Sequence, residues 1–232
     1  MKHLIETANP SGLAITEYDR LILNSTTNDV IVKGGGYVNL GLPSGLKWAK
    51  CNIGAEKETE WGDYFMWGSV TPNTTDNCRW ETYPFNGGSS SYDEEYFNTH
   101  KSEWLDDNGN LKPEFDAATQ IMGDGWRMPT EADFQELLDN TDNEWVTNYN
   151  GTGIKGRKFT SKKNGNSIFI PAAGQHVNNS HYHTNEGYVW SSSLDTSHSN
   201  SAWNLYFDSS RIYASDTFTD RYQALSVRGV RK

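Results

Sequence analysis

The sequence predicts an α+β fold, rich in loops, with two short helices packed on small twisted antiparallel sheets. Three observations point there. Hydrophobic residues are only 35% of the 232, yet aromatics reach 13% with 9 Trp, so the core is built from rings more than from aliphatic runs. Disordered chains lack such rings. Two stretches carry helical spacing, and the C-terminal third falls into short alternating runs broken by Ser, Asn and Asp.

Taken in order, residues 1–34 read as a β-prone appendage or connector, followed by one domain over 35–232. Leu13-Ala14-Ile15, Leu21-Ile22-Leu23 and Val30-Ile31-Val32 are short strand-like runs between turn residues, and Gly34-Gly35-Gly36 punctuates them. A structureless tail is the competing reading of this segment. The first helix spans Asp116 to Met122, with Ala118, Ile121 and Met122 apolar and Gly123 as its stop. The second runs from Thr130 to Asn140: Thr130 caps it, Asp133 reaches back as a short capping box, and Phe134, Leu137 and Leu138 share one face. Ser167 to Pro171 reads as a strand ended by its proline. Ala202 to Phe207 alternates, with Trp203, Leu205 and Phe207 inward and Asn204, Tyr206 and Asp208 outward. Asp208-Ser209-Ser210 turns the chain into a strand with Ile212 and Ala214 inward, and Leu225 to Arg228 makes the last strand. The result is a hairpin meander with a polar and tyrosyl exposed face.

Charge and cysteine content exclude several function classes. Lys+Arg of 20 against Asp+Glu of 30 leaves a net charge of −10 with no basic cluster, which disfavours nucleic acid and an anionic membrane. No apolar run is long enough to span a bilayer, so no membrane insertion is expected. Residues 1–12 lack the apolar centre of a signal peptide; either no leader is made or one has been removed ahead of Met1. Cys51 and Cys78 are the two cysteines, and a disulfide between them and two free thiols both remain open.

Several blocks carry a family likeness. Tyr37-Val38-Asn39-Leu40-Gly41-Leu42-Pro43-Ser44-Gly45-Leu46-Lys47-Trp48-Ala49 resembles the opening of the Fibrobacter succinogenes major paralogous domain, a family of gut Bacteroidetes surface proteins and their phages. The resemblance continues through Gly62 to Gly68, Gly125-Trp126-Arg127-Met128-Pro129-Thr130, Asn166 to Gly174, Tyr188 to Ser193 and Ser226-Val227-Arg228. It implies a C-type lectin-like fold that presents a loop-and-strand surface for binding. The Arg127 to Ala132 block also resembles formylglycine-generating proteins of that fold.

Catalysis is not expected. The formylglycine-generating chemistry needs cysteines late in the chain, and none follows Cys78. No Gly-x-Ser-x-Gly motif occurs, and the acidic run Asp93-Glu94-Glu95 reads as a solvated face. A lectin-type calcium site is incomplete, because Trp203-Asn204-Leu205 lacks the third carboxylate that a hard cation wants. No cofactor is expected, and a structural cation elsewhere is left open. His176, His181, His183 and His198 form the one metal-like constellation. His181 and His183, on one side of a strand, are its weak candidates for a shared ion. The bland reading, a polar loop from Gln175 to Gly187 with solvent-facing histidines, is preferred.

From Gly187 to Tyr222 the chain has no Lys, Glu, Gln or Met. Diversity-generating retroelements, which often act on C-type lectin-fold proteins of this kind, mutate adenines in Asn codons, and those four residue types cannot arise that way. Leu194, Asp195, Thr196, His198, Asn200, Asn204, Tyr206, Asp208, Arg211, Tyr213, Ser215, Thr217, Thr219, Asp220 and Tyr222 can all arise so and form the candidate variable surface. An ordinary Ser/Asn/Tyr-rich surface is the alternative. Either composition is that of a paratope, with Tyr206 and Tyr213 as a central anchor pair and Arg211 at its edge.

The function expected is non-enzymatic recognition of a cell-surface protein or glycan, by a receptor-binding protein on a phage tail. The rivals are a bacterial surface lipoprotein or adhesin of fixed specificity and, less favoured, a metal-dependent domain of the formylglycine-generating type. A homotrimer through the N-terminal segment suits a fibre protein.

Overall fold

The computed structural model describes residues 21–23, 30–32, 36–73, 78–123, 125–216 and 219–232. In chain order these hold β1 (Leu21–Leu23), β2 (Val30–Val32), β3 (Tyr37–Asn39), β4 (Lys47–Ala49), β5 (Tyr64–Met66), α1 (Glu94–Trp104), α2 (Ala117–Met122), β6 (Trp126–Arg127), α3 (Glu131–Asn140) and β7 (Thr141–Val146). Then come β8 (Gly156–Ser161), β9 (Ser167–Pro171), β10 (Gln175–Val177), β11 (Ser180–Tyr182), β12 (Gly187–Leu194), β13 (Ala202–Phe207), β14 (Ile212–Asp216), β15 (Ala224–Ser226) and β16 (Val230–Arg231). The molecule is α+β and loop-rich, and its named strands pair antiparallel except β12 with β15, which run parallel. Of the N-terminal runs, β1 and β2 pair antiparallel, and Leu13-Ala14-Ile15 lies outside the described residues.

Both expected helices form for the expected reasons. In α3 the Thr130 hydroxyl accepts from Asp133 N at 3.2 Å and the Asp133 carboxylate accepts from Thr130 N at 2.7 Å. Arg127 donates to the same carboxylate at 2.6 Å, which ties the cap to β6. Phe134 and Leu137 are fully buried. Asp116 caps α2 and Gly123 ends it at φ 94°.

A third helix, α1, corrects the expectation of two. Asp93 caps it by accepting from Tyr96 N at 2.8 Å, and Glu94 and Glu95 suit the positive end of the helix dipole. The acidic run is therefore a solvated first turn. Only Phe97 and Trp104 are buried, seven residues apart, so the apolar stripe was too narrow to register as helical periodicity.

The largest sheet has the order β11-β10-β15-β12-β13-β14, with β5 added on β15. Flanking it are a four-stranded sheet, β3-β4-β16-β6, and the β7-β8-β9 meander. The last strand is β16 rather than the Leu225 run, which forms β15 inside the large sheet. Alternation along β12 and β13 feeds two separate cores. Tyr188, Trp190 and Tyr206 join Trp67, Tyr83 and Phe97, whereas Val189, Leu205 and Phe207 join Trp48, Phe134 and Phe159. These strands are covered on both faces, so the clean polar alternation of Ala202 to Phe207 does not mark a solvent face as expected. Cys51 and Cys78 are both buried and form no disulfide with each other.

Candidate functional site

The candidate surface divides at the two ends of β13. At the Phe207 end, the register pairs Tyr188 with Tyr206 and Tyr206 with Tyr213 across β12, β13 and β14. Their rings form a ladder: Tyr188 meets Tyr206 edge-on at 5.1 Å, and Tyr206 stacks on Tyr213 at 6.1 Å. Tyr188 and Tyr206 are nearly buried, while Tyr213 is 46% exposed. Tyr206 is thus the floor of the expected anchor pair and Tyr213 its accessible face.

The hairpin turn between β13 and β14 holds this ladder. Asp208 Oδ1 accepts from Ser210 N, Ser210 Oγ and Arg211 N, all within 2.8 Å, which closes the turn. Its Oδ2 accepts from Tyr206 OH at 2.9 Å and from Arg211 Nη2 at 2.8 Å. Burial works against the carboxylate, but the donors from Ser210, Arg211 and Tyr206 outweigh it and hold its pKa well below the usual range. Arg211 is thereby fixed with its guanidinium 5.7 Å from the Tyr206 ring centre. Burial first, and the bond to Asp208 second, raise the Tyr206 phenol above its ordinary value, so it stays a neutral donor.

Two residues that sequence reasoning missed complete this end. Tyr188 OH donates to Glu186 Oε2 at 2.6 Å, and His183 Nδ1 lies 3.4 Å from the same oxygen. Only the β12–β13 register places Tyr188 beside Tyr206, and one strand's own alternation carries no such signal.

At the other end of β13, Asp195 is fully buried, accepts from Ser197 N at 2.8 Å and faces the exposed His198 Nδ1 at 3.0 Å. Asn200 donates to Asp220 Oδ1 at 2.7 Å, and Tyr222 packs on Trp80 at 5.0 Å. Asn204 is buried and donates to Thr219 Oγ1 at 3.0 Å.

The fifteen candidates therefore sort by accessibility. Thr196, His198, Arg211, Tyr213 and Ser215 are exposed, and Asn200, Asp208, Asp220 and Tyr222 are half-buried. Leu194, Asp195, Asn204, Tyr206 and Thr219 are buried, against the expectation of a solvent-facing surface; Leu194 and Tyr206 pack into the core with Trp67, Tyr83 and Phe97. Thr217 lies outside the described residues. Trp203, expected as a fixed inward residue, is half-buried.

The histidine expectation is also corrected. Residues 175–187 are not a plain polar loop: β10 and β11 pair as a hairpin with His176 opposite His181. His183 lies past the end of β11 at φ 59°, so it leaves the strand's two-residue alternation and turns to Glu186 instead of joining His181. Among the described residues no group of three or more His, Cys, Asp or Glu side chains is placed to hold a metal ion, and no helix is long and apolar enough to cross a membrane. A cleft of 420 Å³ lined by Leu40, Gly41, Pro43, Asn140, Lys162 and Lys163 includes none of the candidates. Compared with protein-family models, with curated proteins and with solved structures, the chain matches none.

Proposed function

We propose that the chain is a non-enzymatic recognition protein, a C-type lectin-like domain that binds a cell-surface protein or glycan through the β13–β14 hairpin and its flanking loops. The observation that carries this reading is the Tyr188–Tyr206–Tyr213 ladder with Arg211 clamped beside it. An exposed tyrosine on a rigid tyrosine floor offers broad amphipathic contact at small entropic cost, and a preorganised guanidinium adds directional hydrogen bonding. The exposed Thr196, His198 and Ser215, with the half-buried Asn200 and Asp220, supply adaptable polar contacts around it. A position on a phage tail or a bacterial surface suits such a domain. Residues 1–34 then serve as attachment, and a mass measurement on a chain beginning at Gly35 tests whether they also trimerise it.

Sequencing of the locus across its natural population tests the reading. Adenine-directed variation at Thr196, His198, Arg211, Tyr213 and Ser215, with Trp190, Leu205 and Phe207 constant, establishes a diversified binding face. Invariance at those positions favours an adhesin of fixed specificity. Variation that falls instead on buried positions such as Leu205 and Phe207 overturns both.

A further inference from the structure

His176 and His181 face each other across the β10–β11 hairpin, and their rings stack with centroids 4.4 Å apart and planes 1° from parallel. Tyr64 of β5 lies edge-on to both, at 4.3 and 5.4 Å, and Trp61 closes on His181 at 5.0 Å. His181 Nε2 is 2.7 Å from the Ala173 carbonyl and 3.3 Å from Tyr64 OH, so it carries a proton directed at that carbonyl. His176 is 9% exposed, and its Nδ1 has no hydrogen-bond partner.

The surroundings favour a neutral His176. Among the described residues, Tyr64, Cys78 (bridged to Asn178) and His181 are the titratable groups from the elements around His176, and none of them is a carboxylate. Glu186 turns to His183 and Tyr188, and no carboxylate touches either stacked imidazole among the described residues. Arg79 donates to Asn179 in the hairpin turn. A proton on His176 therefore enters a buried site beside a protonatable neighbour, with no carboxylate in contact among the described residues.

The hairpin is continuous with the tyrosine ladder. Gly174 N donates to the Glu186 carbonyl at 2.8 Å, and Glu186 holds Tyr188 OH. His183, two residues beyond His181, packs 6.2 Å from the Tyr188 ring.

We propose that the His176–His181 stack is an acid-sensitive latch: neutral, it closes the β10–β11 hairpin on Tyr64; protonated, it opens the hairpin and withdraws Glu186 from Tyr188. Burial first, and His181 second, push the His176 imidazole down to about 4 from 6.5, in keeping with that geometry. The sign follows directly. The unfolded hairpin binds the proton more readily, so the latch is fully closed above the ordinary histidine value and weakens as pH falls toward about 4. Its effect on ligand recognition rests on the function proposed above, but the latch itself does not.

Amide hydrogen exchange on the whole chain tests it, corrected for the intrinsic pH dependence of exchange, with the β8–β9 hairpin as internal reference. Between about pH 7.5 and about pH 5, protection over residues 175–182 falls about 30-fold relative to the reference. His176→Phe keeps the stacked ring without a titrating nitrogen and abolishes the fall; His181→Gln keeps a donor for Ala173 and reduces it. Equal protection at both pH values, or an undiminished fall in His176→Phe, overturns the latch. If the hairpin opens while the Tyr188 and Tyr213 ring signals stay fixed, the coupling to the ladder is overturned. None of these readouts uses a ligand, so they stand apart from the population sequencing that tests the recognition reading.

Discussion

Arg228 is the side chain whose removal tests the packing account most sharply. It is fully buried without a carboxylate partner, and its guanidinium donates to four acceptors: Asn52 Oδ1 at 2.9 Å, Ala49 O at 2.9 Å, Lys50 O at 2.5 Å and Phe169 O at 3.1 Å. It thereby joins β4, β9 and the segment between β15 and β16. Burial pushes its pKa down to about 10, the sign of a desolvated charge. Arg228→Met relieves that desolvation, worth about 3 kcal/mol for a fall of this size. The same change orphans four acceptors at about 1.5 kcal/mol apiece, or about 6 kcal/mol in all. The loss wins, and the net destabilisation is about 3 kcal/mol, a large part of the roughly 5–15 kcal/mol that holds a domain together. Urea unfolding followed by tryptophan fluorescence reads this as a lower midpoint. A Met variant within about 0.5 kcal/mol of the parent would refute the reasoning, because the acceptors would then have found other donors cheaply.

Other expectations follow from the same geometry. Thr130→Ala removes half of the α3 capping box and costs about 1 kcal/mol in urea unfolding. Tyr213→Ala, at an exposed ring, changes stability by less than about 0.5 kcal/mol, whereas Tyr206→Ala removes a buried ring and its bonds to Asp208 and Arg211 at a cost of about 3 kcal/mol. Binding losses should therefore be read from Tyr213→Ala. A Cβ at Gly187 sits 2.0 Å from the Phe207 ring, so Gly187→Ala must shift β12 against β13 and lower the melting temperature. Burial pushes the Cys78 thiol up to about 11 and raises Cys51 as well, so both resist a thiol reagent at neutral pH in the native chain and react once urea unfolds it.

Local chemistry was legible where it acts over a few residues. Thr130 with Asp133, and Asp116 with Gly123, mark two helices, because a cap is satisfied within one turn. Ser167 to Pro171 has the strand limits its apolar run and closing proline give, Ala202 to Phe207 has those its alternation gives, and Asp208 closes the turn that follows. The Tyr206–Tyr213 pairing was also readable, since a tight hairpin fixes its own register.

What covers a face was not legible. Asn204 and Tyr206 look like solvent residues along their own strand, and only the arrival of Trp67, Tyr83 and Phe97 from the first half of the chain buries that side. The histidines show the same limit. Spacing along the chain pairs His181 with His183, but the left-handed backbone at His183 separates them and the hairpin register brings His176 opposite His181. Amino-acid order sets caps, turns and alternation because those depend on neighbours in sequence. Burial, cross-strand partners and the protonation of a stacked imidazole depend on neighbours in space, and only the tertiary structure supplies them.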